Sequence, residues 1–361
     1  MLVDGRPLRP LRALPQGDGV EIIDQRALPH ALTLVTLRTS EAVFTAIRDM
    51  WLRGAPLIGA AAAFGLALAL REDAGDAALA RAAARLRSAR PTAVNLAWAI
   101  ERLQRLLVPL DAARRAHRAW QEAVAIAEED VAVNAAIGRH GLALLEAVAA
   151  RRGGPVRVLT HCNAGWLATV DWGTATAPLY LAQERGLALH VWVDETRPRN
   201  QGASLTAWEL GRAGVPHAVV ADNAGGHLMQ RGDVDLVIVG CDRVAANGDV
   251  CNKIGTYLKA LAAHDNGVPF YVAMPTSTLD LALPHGGAIP IEERHAREVT
   301  HVAGRDAAGR LVEVQLTPDG AAAANPAFDV TPARLVSGLI TEHGVVAAAP
   351  EALRRLTEAP R

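Results

Sequence analysis

The chain has 361 residues, more than a single hydrophobic core usually serves, so two domains are expected. Half of the residues are apolar and the formal net charge is -1, which leaves no electrostatic footprint for nucleic acid or an anionic membrane and points to a small, local substrate site. Three cysteines, Cys162, Cys241 and Cys251, with no C-x-x-C pair, argue against a disulfide framework or a zinc site and for a reducing, cytoplasmic setting.

The opening residues, "MLVDGRPLRPLRALPQ", lack the apolar core of a signal peptide. "VEIIDQRALPHALTLVTLRT" is β-prone and predicts a small hairpin or sheet. From about Ser40 to Ala150, apolar residues recur at three- and four-residue spacing, as in "EAVFTAIRDMWL" and "HGLALLEAVAARR", which predicts a helical domain. Within it, "APLIGAAAAFGLALAL" (55–70) is shorter than the ~20 residues of a membrane span and reads as a buried, closely packed helix. The pattern changes near Gly153 and Gly154. Five short apolar runs follow, at 156–160, 187–195, 216–223, 234–242 and 268–275, and the first four precede helix-compatible segments such as "CNKIGTYLKALAAHDNG". This alternation predicts an α/β fold. A mainly helical N-terminal domain with a small β element (1–150) precedes a Rossmann-like parallel-sheet catalytic domain (151–361).

Ligands of open parallel sheets bind beyond the carboxyl ends of the strands. Those ends carry His161, Cys162 and Asn163; Asp194, Glu195, Thr196, Arg197 and then Gln201; Asp222 and Asn223; Asp242 and Arg243; Thr276 and Ser277. They converge on one rim, where Cys162 and Asp242 can share a cleft. Asp222, Asn223 and Thr276 are equally suited to capping the next helix, whereas "RVAANGD" holds Asp242 too far from a helix to cap it. Cys162 is either an inert core thiol or, at a strand-to-helix turn, a thiol whose pKa a helix N-terminus lowers. G-x-G-x-x-G, the P-loop and H-E-x-x-H are absent, and His161, His217, His227 and His264 have no metal-ligand spacing, so structural or surface roles are expected for them. Arg53 and Gly54 precede Pro56, and Arg90 precedes Pro91 and Thr92; each combines a cation with a helix start, a pattern suited to a phosphate.

The ordered motifs "IIDQRALP", "RGAPLIG", "RPTAVNLAW", "HCNAGWLATVDWGTA", "ETRPRNQGASLTAWEL", "GCDRVAANGDVCNKIGTY" and "IPIEER" span nearly the whole chain. In these the chain resembles the S-methyl-5-thioribose-1-phosphate isomerase family, aldose-ketose isomerases of methionine salvage related to the regulatory subunits of the initiation-factor exchange complex. The resemblance implies that Cys162 and Asp242 are the catalytic pair and that Arg53, Gly54, Ala55, Arg90, Gln201, Asn252 and Lys253 bind the substrate. It also implies a homodimer without metal or nucleotide cofactor. Arg199, Asn200 and Cys251 depart from the family pattern, and Trp166 and Trp172 read as core or dimer-contact aromatics. Competing expectations are an isomerase of 5-deoxyribose 1-phosphate or ribose 1,5-bisphosphate, and a non-catalytic regulatory subunit of the same fold.

For a furanose 1-phosphate, ring opening must accompany isomerisation. The expected scheme has a protonated Asp242 donating to the ring oxygen and a Cys162 thiolate moving the C2 proton to C1 through an enediol. A hydride shift from C2 to C1, with Cys162 only shaping the site, is the competing route.

Overall fold

The computed structural model describes residues 1–90 and 93–358. A ribbon of β1 (Leu2–Val3) and β2 (Arg6–Pro7) precedes an antiparallel sheet of β3 (Leu11–Ala13), β4 (Val20–Asp24) and β5 (Thr33–Leu37), the β element expected there. Side chains alternate along a strand, and β4 uses both faces: Val20 and Ile22 enter the core of the helical region, while Ile23 enters that of the α/β region.

Five helices follow: α1 (Ser40–Arg48), α2 (Ala55–Glu72), α3 (Asp76–Arg87), α4 (Val94–Leu107) and α5 (Ala112–Arg152). Thr39 caps α1, its hydroxyl accepting the Ala42 amide at 3.1 Å. The apolar, alanine-rich α2 is the buried centre of this bundle and packs on α1, α3, α4 and α5. The expected start of α4 at Pro91 and Thr92 lies outside the described residues; its helical turns begin at Val94. The 41-residue α5 ends at Gly153, left-handed at φ 70°, a common helix stop. Ala119, Ala123 and Ile126 of α5 belong to the helical core, and Ile137, Leu142 and Leu145 to the other, so one helix passes through both.

The second region comprises β6 (Val156–Thr160), α6 (Ala177–Glu184), β7 (Leu189–Asp194), α7 (Ala207–Arg212), β8 (His217–Val220), α8 (Ala224–Gln230), β9 (Leu236–Val239), β10 (Arg243–Ala245), β11 (Val250–Lys253), α9 (Thr256–Asp265), β12 (Phe270–Ala273), β13 (Leu279–Asp280), α10 (Arg297–Thr300), β14 (His301–Arg305), β15 (Leu311–Gln315), β16 (Phe328–Thr331), β17 (Gly338–Thr341), β18 (Gly344–Val346) and α11 (Pro350–Glu358). The main sheet runs β18-β17-β12-β9-β6-β7-β8, parallel except for β18. Read from β8, its parallel strands follow the 3-2-1-4-5-6 order of doubly wound sheets, with the topological switch between β6 and β9.

All five expected strands are present, and β17 and β18 extend the sheet beyond them. The stretch around "CNK" differs from its expected helical form. Cys251, Asn252 and Lys253 belong to β11, part of a smaller sheet β13-β10-β11-β16 inserted after β9, and α9 starts only at Thr256. Pairing of β11 with β10 and β16 explains this, since each of its four residues has a partner on β16.

Candidate active site

The strands flanking the switch point, β6 and β9, lead into Cys162 and Asp242 respectively. A single cavity between the two regions is lined by both, together with Arg53, Gly54, Ala55, Arg90, Gln201, Asn252 and Lys253. The inserted sheet accounts for part of this convergence: Asp242 immediately precedes β10, and Asn252 and Lys253 close the antiparallel partner β11. The Asp242 amide donates to the Cys251 carbonyl at 3.0 Å, which fixes the start of that hairpin.

Cys162 does not sit at a helix N-terminus. After β6 the chain runs through a loop and a short 3-10 turn at Trp166–Ala168, and α6 begins only at Ala177. Cys162 itself is left-handed, at φ 67°, a conformation unusual for a non-glycine residue and one that needs outside support. Two threonines supply it. The Cys162 amide donates to Thr196 Oγ1 at 2.8 Å, and the Thr206 hydroxyl donates to the Cys162 carbonyl at 2.7 Å. Burial pushes the thiol up from its ordinary pKa, with Arg53 and Lys253 opposing the rise and Asp242 adding to it. That direction is the reverse of the lowering a helix dipole would give.

Burial also raises the Asp242 carboxyl, against the pull of Arg53, Arg90 and Lys253. Its side chain forms no hydrogen bond or ion pair with another described residue, so it is available to a ligand. Lys253 is 5% exposed, and burial lowers its pKa while Cys162 and Asp242 raise it. Gln201 is buried with its Oε1 unpartnered. Arg53 bonds Asn163 twice, through the side-chain Oδ1 and through the carbonyl at 2.6 Å. At Gly54 (φ 106°) an added Cβ would lie 2.3 Å from the Ala168 carbonyl oxygen, so only glycine lets the start of α2 meet the loop beyond Cys162. Pro56 contributes no amide, leaving Ala55 and Leu57 to supply the unpaired donors of the first turn.

Glu292, Arg294 and Glu298, which sequence reasoning passed over, tie the walls together. Arg90 reaches Glu292 (3.3 Å), Glu292 pairs with Arg294 (2.7 Å), Arg294 with Glu298 (2.6 Å), and Glu298 with Arg199 (2.7 Å). This alternating chain of charges links the helical region to the loop after β7, and three of its arginines line the cavity. The "IPIEER" motif holds two of its members, but their alternation with Arg90 and Arg199 exists only in the folded chain. Arg243 also lines the cavity and pairs with Asp280 at 3.2 Å.

The other strand-end residues have different roles. Asp222 is no helix cap: it accepts the Thr196 and Arg197 amides, each at 2.7 Å. Asn223 makes no side-chain capping bond, and Thr276 is held by Glu342. His161, buried at 1% exposure, forms a cluster with Asp194 and Asp222 whose potential ligand atoms lie within 4.8 Å of one another. Its Nδ1 meets Asp194 and its Nε2 the Ile254 carbonyl, both at 2.8 Å, while Lys259 lies 3.3 Å from Asp194. With both ring nitrogens engaged and a lysine already on the carboxylate, the group is organised as an internal ion network. Trp166 is core, 5.9 Å from Trp208 between ring centroids, and Trp172 packs against the same core. Cys251 is buried, and burial pushes its thiol up too.

Residues 51–348 match the initiation factor 2 subunit family. A methylthioribose-1-phosphate isomerase from Methylobacterium nodulans is 62% identical over 357 residues, 99% of this chain and 98% of that protein. The crystal structure of 5-methylthioribose 1-phosphate isomerase from Pyrococcus horikoshii OT3 superposes with a TM-score of 0.84 at 39% identity, covering 98% of this chain and 96% of that one. A translation initiation factor eIF-2B subunit delta structure from A. fulgidus gives a TM-score of 0.79, also at 39% identity, over 96% of this chain and 100% of that one. Taken with the cavity at the β6/β9 switch, these likenesses show that the chain belongs to the initiation factor 2 subunit family and, within it, to the methylthioribose-1-phosphate isomerases.

Proposed function

We propose that the chain isomerises 5-methylthioribose 1-phosphate to 5-methylthioribulose 1-phosphate in methionine salvage, with Cys162 and Asp242 as the catalytic residues. The observation that carries this is the single cavity joining a thiol and a carboxyl of raised pKa to cations from both regions of the chain. Arg53, Arg90 and the first amides of α2 hold the phosphate, since charge-assisted hydrogen bonds are the stronger kind. Gln201, Asn252 and Lys253 contact the sugar or its phosphate. Asp242, whose carboxyl is raised by desolvation, donates to the ring oxygen in its protonated form; once ionised, it takes the proton from the C2 hydroxyl as the ketone forms.

The upward push that burial exerts on the thiol favours the hydride route for the transfer from C2 to C1. Cys162 then forms part of the dry wall along which the hydrogen passes, and no thiolate is required. A regulatory role is disfavoured because a non-catalytic subunit has no need of a cleft carboxyl left without a partner among the described residues. The setting is cytoplasmic and the working form a homodimer, measurable by light scattering. The decisive experiment is turnover of methylthioribose 1-phosphate by purified protein beside 5-deoxyribose 1-phosphate and ribose 1,5-bisphosphate. Preference for either analogue would replace the substrate assigned here, and no turnover of any would return the regulatory reading.

A further inference from the structure

We propose that Glu209 is a positioning residue that sets the Arg53 guanidinium for the substrate phosphate, acting through the side chain of Asn163; this rests on Arg53 being a phosphate ligand. Glu209 lies on α7 and is fully buried. Its Oε1 accepts Asn163 Nδ2 (3.0 Å) and the Leu167 amide (2.9 Å), and its Oε2 accepts the Trp166 amide (3.1 Å) and the Tyr180 phenol (2.8 Å). A carboxylate taken out of water needs such compensation. Here four neutral donors provide it, and no arginine or lysine bonds the group among the described residues.

The relay follows from the two ends of an amide. Asn163 Nδ2 is spent on Glu209 and on Thr206 Oγ1 (3.2 Å), so Oδ1 must face the other way, where it accepts from Arg53. The Asn163 carbonyl accepts the second guanidinium nitrogen, so Arg53 is gripped along one edge by a single residue. Reversing the amide would set its NH2 against Arg53 and its oxygen against the Glu209 carboxylate, two repulsions at once. Arg53 has no carboxylate partner among the described residues, so its charge remains for a ligand. Glu209 also draws in the loop that carries Cys162 and Asn163: a Cβ on Gly165 would lie 1.6 Å from its Oε2.

The test is steady-state kinetics on methylthioribose 1-phosphate with the full chain carrying Glu209→Gln, Arg53→Ala or both, alongside thermal denaturation. A glutamine keeps one acceptor oxygen and places an NH2 against donors, which frees the Asn163 amide. Losing the grip on one charge-assisted contact is expected to raise KM about tenfold with kcat within about threefold. The double variant is expected to be no worse than Arg53→Ala alone, because both act at one contact. A structural role without the relay would lower Tm and multiply the two losses, and that result, or an unchanged KM for Glu209→Gln, overturns the proposal. An unchanged KM for Arg53→Ala overturns it differently, by removing Arg53 from the phosphate site. Should Glu209→Gln fail to fold, Tyr180→Phe removes one of the four donors. It is expected to raise KM about two- to threefold, and only while Arg53 is present; no change there also sinks the relay.

Discussion

Replacing Gly54 by alanine separates close backbone approach from ordinary backbone preference at the mouth of the cavity. The new Cβ would meet the Ala168 carbonyl oxygen at 2.3 Å, its Cα at 2.5 Å and its Cβ at 2.6 Å, and none of these belongs to a side chain that can swing away. The backbone at Gly54, φ 106° and ψ 132°, lies outside the left-handed α region and costs an L-residue about 1–3 kcal/mol, and forcing a methyl into packed surroundings about 1–3 more. Together these give roughly 2–6 kcal/mol. At about 2.1 cal/mol/K of unfolding entropy per residue, a chain of this length should lose roughly 3–8 °C in Tm. Gly153 provides the comparison: its φ is also positive, at 70°, but a Cβ added there would meet nothing within 4 Å, so Gly153→Ala should cost only the backbone part, about 1–2 kcal/mol. Calorimetry on both variants gives the stabilities, and kinetics on the substrate gives KM, which should rise for Gly54→Ala alone because α2 and the loop after Cys162 are pushed apart. Equal Tm losses in the two variants, or an unchanged KM for Gly54→Ala, would refute the close approach.

Three further outcomes are expected. Asp242 must be protonated to donate, and its carboxyl is raised by burial, so kcat/KM should fall as pH climbs through that raised value. Lys253→Met removes a charge that lowers it and should move the falling limb to higher pH; a limb that stays put would remove Asp242 as the titrating acid. In heavy water the hydride route leaves no solvent deuterium at C1, and Cys162→Ser should retain more than about a hundredth of the activity, whereas a lost general base costs at least that factor. Glu298 is raised by burial, but the hydrogen bond from Arg294 and the charge of Arg199 outweigh that and bring its pKa down to about 2. A depressed carboxyl adds stability above its unfolded pKa of about 4.3, which is lost as pH falls toward 2. Glu298→Gln should therefore remove about 2–3 kcal/mol at neutral pH and flatten the acid limb in chemical denaturation.

Much of this architecture is legible in the chain itself. Five of the parallel strands announce themselves as apolar runs, because strands buried on both faces cannot alternate. The rule that ligands gather beyond their carboxyl ends brings Cys162 and Asp242 together from the sequence alone. β11 is hidden because "VCNK" is too short and polar to look like a strand, and its form comes from partners far away, including Phe328 and Asp329 on β16. The thiol's environment escapes local reading for a related reason: the helix after β6 starts fifteen residues beyond Cys162, and the charges that act on the sulfur come from Arg53 just before α2, Lys253 on β11 and Asp242 after β9. Glu209 shows only as one acid in "TAWEL", indistinguishable locally from a solvated helix face. Its four donors lie 29 to 46 residues away, so no local pattern could disclose them.

The passage of α5 through both cores has a consequence for how the molecule comes apart. A helix whose first half is ordered by one cluster and whose second half by another cannot unwind in either without loosening its neighbour. Gly141 deepens the engagement, its bare backbone pressed so close to Pro178 of α6 that a Cβ would sit 2.4 Å from that ring. The two regions should therefore melt as one cooperative unit. The cavity at their junction then inherits the stability of the whole: substitutions at Ile126, remote from any substrate, should weaken it by the same free energy they withdraw from the helical core.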